Sequence, residues 1–298
     1  MLLPALQTSQ KRFTLLELDL APQIADGFGL DLKSEGAQQQ VLTILGWLQQ
    51  MAQPLTSGLV YDPVYSYPLL NQGKALLSNQ QGSQEPPPHD AAPLIRLEKI
   101  ASETDPLALP TLIHNWGIEQ NRQNYAAAKI ELLYHPREAA ALSKKQLIAE
   151  LHDYAQHEGI AFLLKLMIYT PAGEQFEAST FQQAQLEAVS EFRASCDLMA
   201  LQYPHDPLAA ATITAELDIP WVHVAQKVTY DQYKELLRTV LDNGATGFLI
   251  GQELWQEIYQ MRAADHAPDM QAIEQFIQTT ARDRVIELGR IVGEGEQI

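Results

Sequence analysis

Residues Phe162–Tyr169 read FLLKLMIY, a run in which Lys165 is the one charged residue. A strand with one wet face alternates apolar and polar residues. A nearly continuous apolar run is what a parallel strand covered on both faces requires. Seven more short runs lie along the chain. Phe13–Asp19 (FTLLELD), Gly58–Asp62 (GLVYD), Leu94–Glu98 (LIRLE) and Lys129–His135 (KIELLYH) precede it; Asp197–Pro204 (DLMALQYP), Trp221–Gln226 (WVHVAQ) and Gly247–Gly251 (GFLIG) follow. Between them the apolar period changes to three and four. Val41, Ile44, Leu45, Leu48 and Met51 form one helical stripe. Tyr233, Leu236, Leu237, Val240 and Leu241 form another, closed by the stop signal Asn243-Gly244. Met270, Ile273, Phe276 and Ile277 begin a last helix running towards Gly289. Eight strands alternating with helices predict an α/β fold: a parallel, eight-stranded (β/α)8 TIM barrel, one domain over residues 1–298. The rival is an open doubly wound sheet, but no Gly-rich phosphate loop follows the first strand.

Composition narrows the function classes. Of 298 residues 46% are hydrophobic, enough for a large core, which excludes wholesale disorder. There are 20 Lys+Arg against 37 Asp+Glu, a net charge of −17 that argues against a nucleic-acid partner. A single cysteine, Cys196, excludes a disulfide framework or a Cys-rich zinc module and is expected to be unpaired. The N-terminal stretch makes a poor signal peptide, and no apolar run has the length of a membrane helix. A soluble, cytoplasmic protein is therefore expected. Ser78–Pro93, polar and proline-rich, reads as a solvated loop.

In a barrel the chemistry gathers at the C-terminal ends of the strands. Alternation puts Glu17 with Asp19 on one face of the first strand and Arg96 with Glu98 on one face of the third. Lys129, Glu131 and His135 share a face of the fourth; Lys165 stands in the fifth, Gln202 closes the sixth and His223 lies in the seventh, where a satisfied core histidine is the plainer reading than a catalyst. Charges embedded in such runs must be paired, so a space-filling ion network is the plain alternative to a catalytic site. His135, His205 and His223 lie near strand ends and Asp206 adds a carboxylate, but no two share ligand spacing within one element. Neither a metal nor a cofactor is expected.

Asp19, Tyr61–Tyr65 (YDPVY), Leu97–Lys99 (LEK), Lys129 with Tyr134-His135-Pro136, and Gly251–Trp255 (GQELW) stand in order at strand ends. From about residue 13 to 290 these motifs resemble, in the same order, those of the tagatose-1,6-bisphosphate aldolase family of class I aldolases. The resemblance implies a (β/α)8 barrel and Schiff-base chemistry on a sugar phosphate. It also exposes departures. Ala200 stands where the family's Schiff-base lysine belongs, Lys165 where it has a glutamate, and Gln252 where it has an arginine. Leu20-Ala21-Pro22 lacks the arginine after the first strand, and Ala225-Gln226-Lys227 replaces the small phosphate loop.

Two functions follow. The first is a divergent class I aldolase-like lyase, forming a lysine Schiff base with a sugar or sugar phosphate. The second is a sugar-binding or sugar-phosphate-binding barrel that has lost that chemistry. For the first, Lys165, Lys129, Glu98 and Asp19 are the catalytic candidates; Glu131, Gln202, His223 and Gln252 are the substrate-binding ones. Lys165 is preferred as nucleophile because its apolar flanks favour a neutral amine, whereas Glu131 shares a face with Lys129. Two inward lysines at one level would also lower each other's pKa. The partner expected is a small carbohydrate, with no membrane or nucleic acid and a homo-oligomer left open.

Overall fold

The computed structural model describes residues 3–70, 91–99, 105, 107–225, 228–264 and 266–294. Eight strands close into one parallel barrel in sequence order: β1 (Phe13–Glu17), β2 (Gly58–Tyr61), β3 (Ala92–Arg96), β4 (Ala127–Tyr134), β5 (Phe162–Ile168), β6 (Leu198–Leu201), β7 (Trp221–Val224) and β8 (Gly247–Ile250). The last strand returns to the first, with Phe13 paired to Gly247 and Leu16 to Ile250. This is the (β/α)8 barrel that the alternation of runs predicts.

The described helices of the outer layer are α1 (Ala21–Phe28), α2 (Glu35–Ala52), α3 (Ile118–Gln123), α4 (Ala141–His157), α5 (Ala178–Phe192), α6 (Pro207–Glu216), α7 (Tyr230–Asp242), α8 (Met270–Phe276) and α9 (Arg282–Glu294). Local chemistry sets their ends. Asp206 caps α6 by accepting from the Ala209 N–H at 3.0 Å, and Thr229 with Gln232 forms a capping box at α7. The expected last helix is broken by a π-helical turn, Ile277–Ala281, between α8 and α9. No described helix is long and apolar enough to cross a membrane.

Apolar packing forms two shells, because every strand buries both faces. Leu15, Val60, Leu94, Leu163, Ala200, Val222 and Leu249 belong to the inner one; Leu16, Ile95, Ile130, Leu164, Met199 and Phe248 pack outwards with the helices. Gly58 makes room inside: a Cβ there would lie 2.7 Å from Leu15 Cδ2 and 2.9 Å from Leu94 Cδ1.

Strand limits differ from the sequence reading where side chains compete with the ladder. The sixth run extends from Asp197 to Pro204, but β6 spans Leu198–Leu201. Asp197 turns its carboxylate onto the Phe162 N–H at 2.8 Å, and Gln202 binds the Ile168 backbone instead. In the third run Glu98 lies beyond β3, in an isolated antiparallel bridge with Leu112. Of the proline-rich segment, residues 78–90 lie outside the described residues, while Ala92 and Pro93 open β3.

Candidate active site

Period-two alternation carries the inner face of β1, β3, β4 and β5 from hydrocarbon at the bottom to charge at the top. Below lie Leu15, Leu94, Ala127 and Leu163; above them come Glu17 and Asp19, Arg96 and Glu98, Lys129 and Glu131, and Lys165. These seven side chains meet around the two amines. Lys129 Nζ donates to Asp19 Oδ2 at 2.9 Å and lies 3.7 Å from Glu17 Oε1, 3.8 Å from Glu98 Oε1 and 3.9 Å from Glu131 Oε2. Lys165 Nζ donates to Glu17 Oε1 at 2.7 Å and stands 3.1 Å from Glu131 Oε2. Arg96 Nη1 approaches the Asp19 carboxylate at 3.8 Å, so Arg96 faces the barrel interior.

Exposure grades across the cluster. The Lys129 and Asp19 side chains are each 2% exposed, that of Lys165 is 11% and that of Glu131 27%. Solvent therefore reaches the cluster by way of Glu131 and Lys165. Three buried polar atoms on its inner side, Asp19 Oδ1, Glu98 Oε2 and Arg96 Nε, have no hydrogen-bond partner among the described residues.

The protonation states follow from this geometry. Burial acts to lower the Lys165 pKa, but Glu131 and Glu17 outweigh it, and the net shift is upward. Lys129 behaves alike: burial pulls it down, Asp19 and Glu98 push it up, and it too is raised. For Asp19, burial is overcome by Lys129 and Arg96, and its pKa is lowered. For Glu98 burial wins over Lys129 and Arg96, and the carboxyl is pushed up to about 7.

This corrects two parts of the sequence argument. The apolar flanks of Lys165 do not leave it neutral, because two carboxylates from β1 and β4 hold the ammonium. Nor do the lysines stand level: Lys165 pairs with Glu131 across the ladder, and Lys129 with Leu163, two residues lower. Glu17 is the group the sequence reading left out of the site, although its shared face with Asp19 was the available signal.

The remaining candidates separate. Gln202, 2% exposed, accepts from the Ile168 N–H at 2.7 Å and so fastens the end of β5 to β6. His223 has the opposite parity to the inner residues Val222 and Val224. It lies in the layer between barrel and helices, stacked on Tyr233 of α7 with ring centroids 5.1 Å apart. Burial there lowers its pKa to about 4. His223 is thus removed from the mouth, which corrects its assignment to substrate binding. Gln252 sits half-buried in the 3-10 turn after β8. His205 packs against Phe176 and Phe181, at 5.1 and 5.2 Å between ring centroids. Among the described residues no group of three His, Cys, Asp or Glu side chains could hold a metal ion. Cys196 is buried with a free thiol, and Gln226 and Lys227 lie outside the described residues.

No protein-family model matches the chain. Solved structures do. An archaeal fructose-1,6-bisphosphate aldolase, with its catalytic Lys covalently bound to the carbinolamine intermediate of the substrate, superposes with a TM-score of 0.60 at 14% identity over 96% of each chain. Fructose-bisphosphate aldolase from Plasmodium falciparum gives 0.63 at 12% identity, over 93% of this chain and 89% of that one. The enzyme from Slackia heliotrinireducens gives 0.56 at 13% identity, over 97% and 88%. The likeness at these identities is one of fold: this is an aldolase-type barrel.

Proposed function

We propose that the chain is a divergent, single-domain aldolase-like lyase that acts on a sugar or sugar phosphate through a Schiff base at Lys165. The observation that carries this reading is a register: Lys165 and Ala200 are Cα partners across β5 and β6. The sequence resemblance puts a nucleophilic lysine at the Ala200 position. An amine rooted at the same height one strand away, about 5 Å across the sheet, serves the same part of the mouth.

The neighbours supply the proton traffic. In the resting cluster Lys165 is an ammonium, so its first act is to pass a proton to Glu131 or Glu17, both within hydrogen-bonding distance. The freed amine adds to the substrate carbonyl carbon while the oxygen takes a proton, giving a carbinolamine. Loss of water leaves an iminium that accepts the electron pair of the breaking carbon–carbon bond. Glu98, with its pKa near 7, suits the proton carrier of these steps. Lys129, held charged by Asp19, orients the substrate and offsets developing negative charge.

A second reading has its own support. The carboxylates that raise the Lys165 pKa also oppose nucleophilic attack, which favours a sugar-binding barrel without the chemistry. Borohydride trapping with ketose and aldose phosphates and their free sugars, read by peptide mass in wild type and Lys165→Ala, separates the two. An adduct on Lys165 that disappears in the variant supports the lyase reading. Ligand binding without any trapped adduct selects the binding protein.

A further inference from the structure

Beyond the mouth, the loops that follow β4 and β5 enclose a cleft of about 270 Å³ together with the face of α5. Its walls carry His135, Arg137, Tyr169, Glu174, Gln183 and Glu187. Tyr169 lies four residues beyond Lys165 and His135 four beyond Glu131, about 13 Å along an extended chain. The cleft is therefore separate from the charged cluster.

Two of its groups are fixed by partners behind them. Tyr169 donates its hydroxyl hydrogen to Glu138 Oε2 at 2.6 Å, and Glu138 is held in turn by the buried Lys144, whose Nζ is 2.8 Å from Oε1. The outward side of the Tyr169 oxygen is left as an acceptor. His135, 7% exposed, accepts the Arg137 backbone N–H at Nδ1 (3.2 Å), which assigns its ring hydrogen to Nε2, a donor. The two rings are 5.9 Å apart between centroids. A fixed donor beside a fixed acceptor suits a group that can both accept and donate, and a hydroxyl does so. An ammonium cannot accept from His135, and the dianion of a phosphate monoester has no hydrogen on its phosphoryl oxygens to give Tyr169. Glu138 is paired with Lys144; beside it the described lining holds two further carboxylates, Glu174 and Glu187, against one Lys or Arg side chain, Arg137, so the local charge also disfavours an anion. Pro136, Pro171 and Ala184 add apolar surface for the C–H face of a ring.

We propose that this cleft is a binding subsite for an uncharged, hydroxyl-bearing ligand, a neutral monosaccharide unit, seated on the His135–Tyr169 pair. It stands apart from the Schiff-base reading, because its recognition involves neither Lys165 nor its carboxylates.

The test is ligand-observed saturation-transfer NMR on the chain, with methyl hexopyranosides as probes and glucose 6-phosphate as the charged counterpart. Neutral glycosides should bind in the millimolar range, and the phosphate about tenfold more weakly or worse. Tyr169→Phe, which keeps the ring and removes the hydroxyl, should weaken glycoside binding about five- to tenfold. Glu187→Lys, a change on the exposed side of α5, should narrow or reverse the preference against the phosphate. Methyl glycosides have no free carbonyl for an amine to attack, so their binding is read independently of the trapping experiment. No transfer to any glycoside in folded wild type would overturn the proposal, as would tighter binding of the phosphate that Tyr169→Phe weakens, which would seat the anion in the cleft. So would glycoside binding that Tyr169→Phe leaves intact, which would put the ligand outside the cleft.

Discussion

Replacing Glu98 with glutamine should stabilise this protein, and the gain should depend on pH in a defined direction. Glu98 is 4% exposed, one of its oxygens has no hydrogen-bond partner among the described residues, and Lys129 and Arg96 do not offset its burial. Its carboxyl ionises at about 7 in the fold, against 4.5 when exposed. Between those values the folded protein holds a proton that the unfolded chain has released, so stability falls as pH rises through the window. At about 1.4 kcal/mol per pH unit, the ionised carboxylate costs about 3 kcal/mol once pH is above 7. Glutamine has the shape of the protonated acid and cannot ionise. Glu98→Gln should therefore be within about 1 kcal/mol of wild type near pH 5 and about 3 kcal/mol more stable near pH 8. Urea unfolding at the two pH values measures this, with an expected midpoint gain of about 1 M at the higher pH. An equal gain at both, or a loss near pH 8, would refute the account of Glu98 as a carboxyl held protonated by burial.

Lys129→Met should cost about 3–5 kcal/mol at neutral pH, because it strands Asp19 and its neighbours as buried like charges. The loss should shrink in acid as protons replace the missing cation, which the same urea titration follows. Gly58→Ala should cost about 1–3 kcal/mol in thermal or urea unfolding, since the added methyl meets side-chain ends that can shift. Gly247→Ala should be far worse and read out as loss of soluble protein. Its φ is +155° and the Cβ would fall 1.8 Å from the Phe13 carbonyl oxygen, in backbone that cannot yield.

What the sequence made legible follows the range of the forces involved. The eight strands and the inward faces of Glu17, Asp19, Glu98, Lys129 and Glu131 come from a local period of two, which the ladder enforces wherever both faces are buried; Arg96, which could equally have faced outward, is settled by its approach to Asp19. The charge state of Lys165 was not legible. It is set by Glu17, 148 residues away in the chain, and by Glu131, whose position opposite Lys165 depends on the register between two strands. His223 failed for another reason. In WVHV both parities are occupied by large apolar residues, so nothing local says which face meets the helices. The hydroxyl of Tyr169 and the ring of His135 went unnoticed as a pair, because each acquires its donor or acceptor role from a backbone or carboxylate partner that composition does not reveal.

The pairing of Phe13 with Gly247 also governs how the molecule comes into being. Until the eighth strand has been synthesised, β1 has one neighbour and an unsatisfied row of amides and carbonyls. The half-made sheet is a ribbon with two sticky borders, and the charged cluster draws residues from β1, β3, β4 and β5 that only curvature brings face to face. Ring closure is thus a late, long-range event during translation, of the kind that folds slowly and exposes strand edges meanwhile. A chain ending before residue 247 would hold all seven earlier strands and no seam, with the amides and carbonyls of two edges left unpaired.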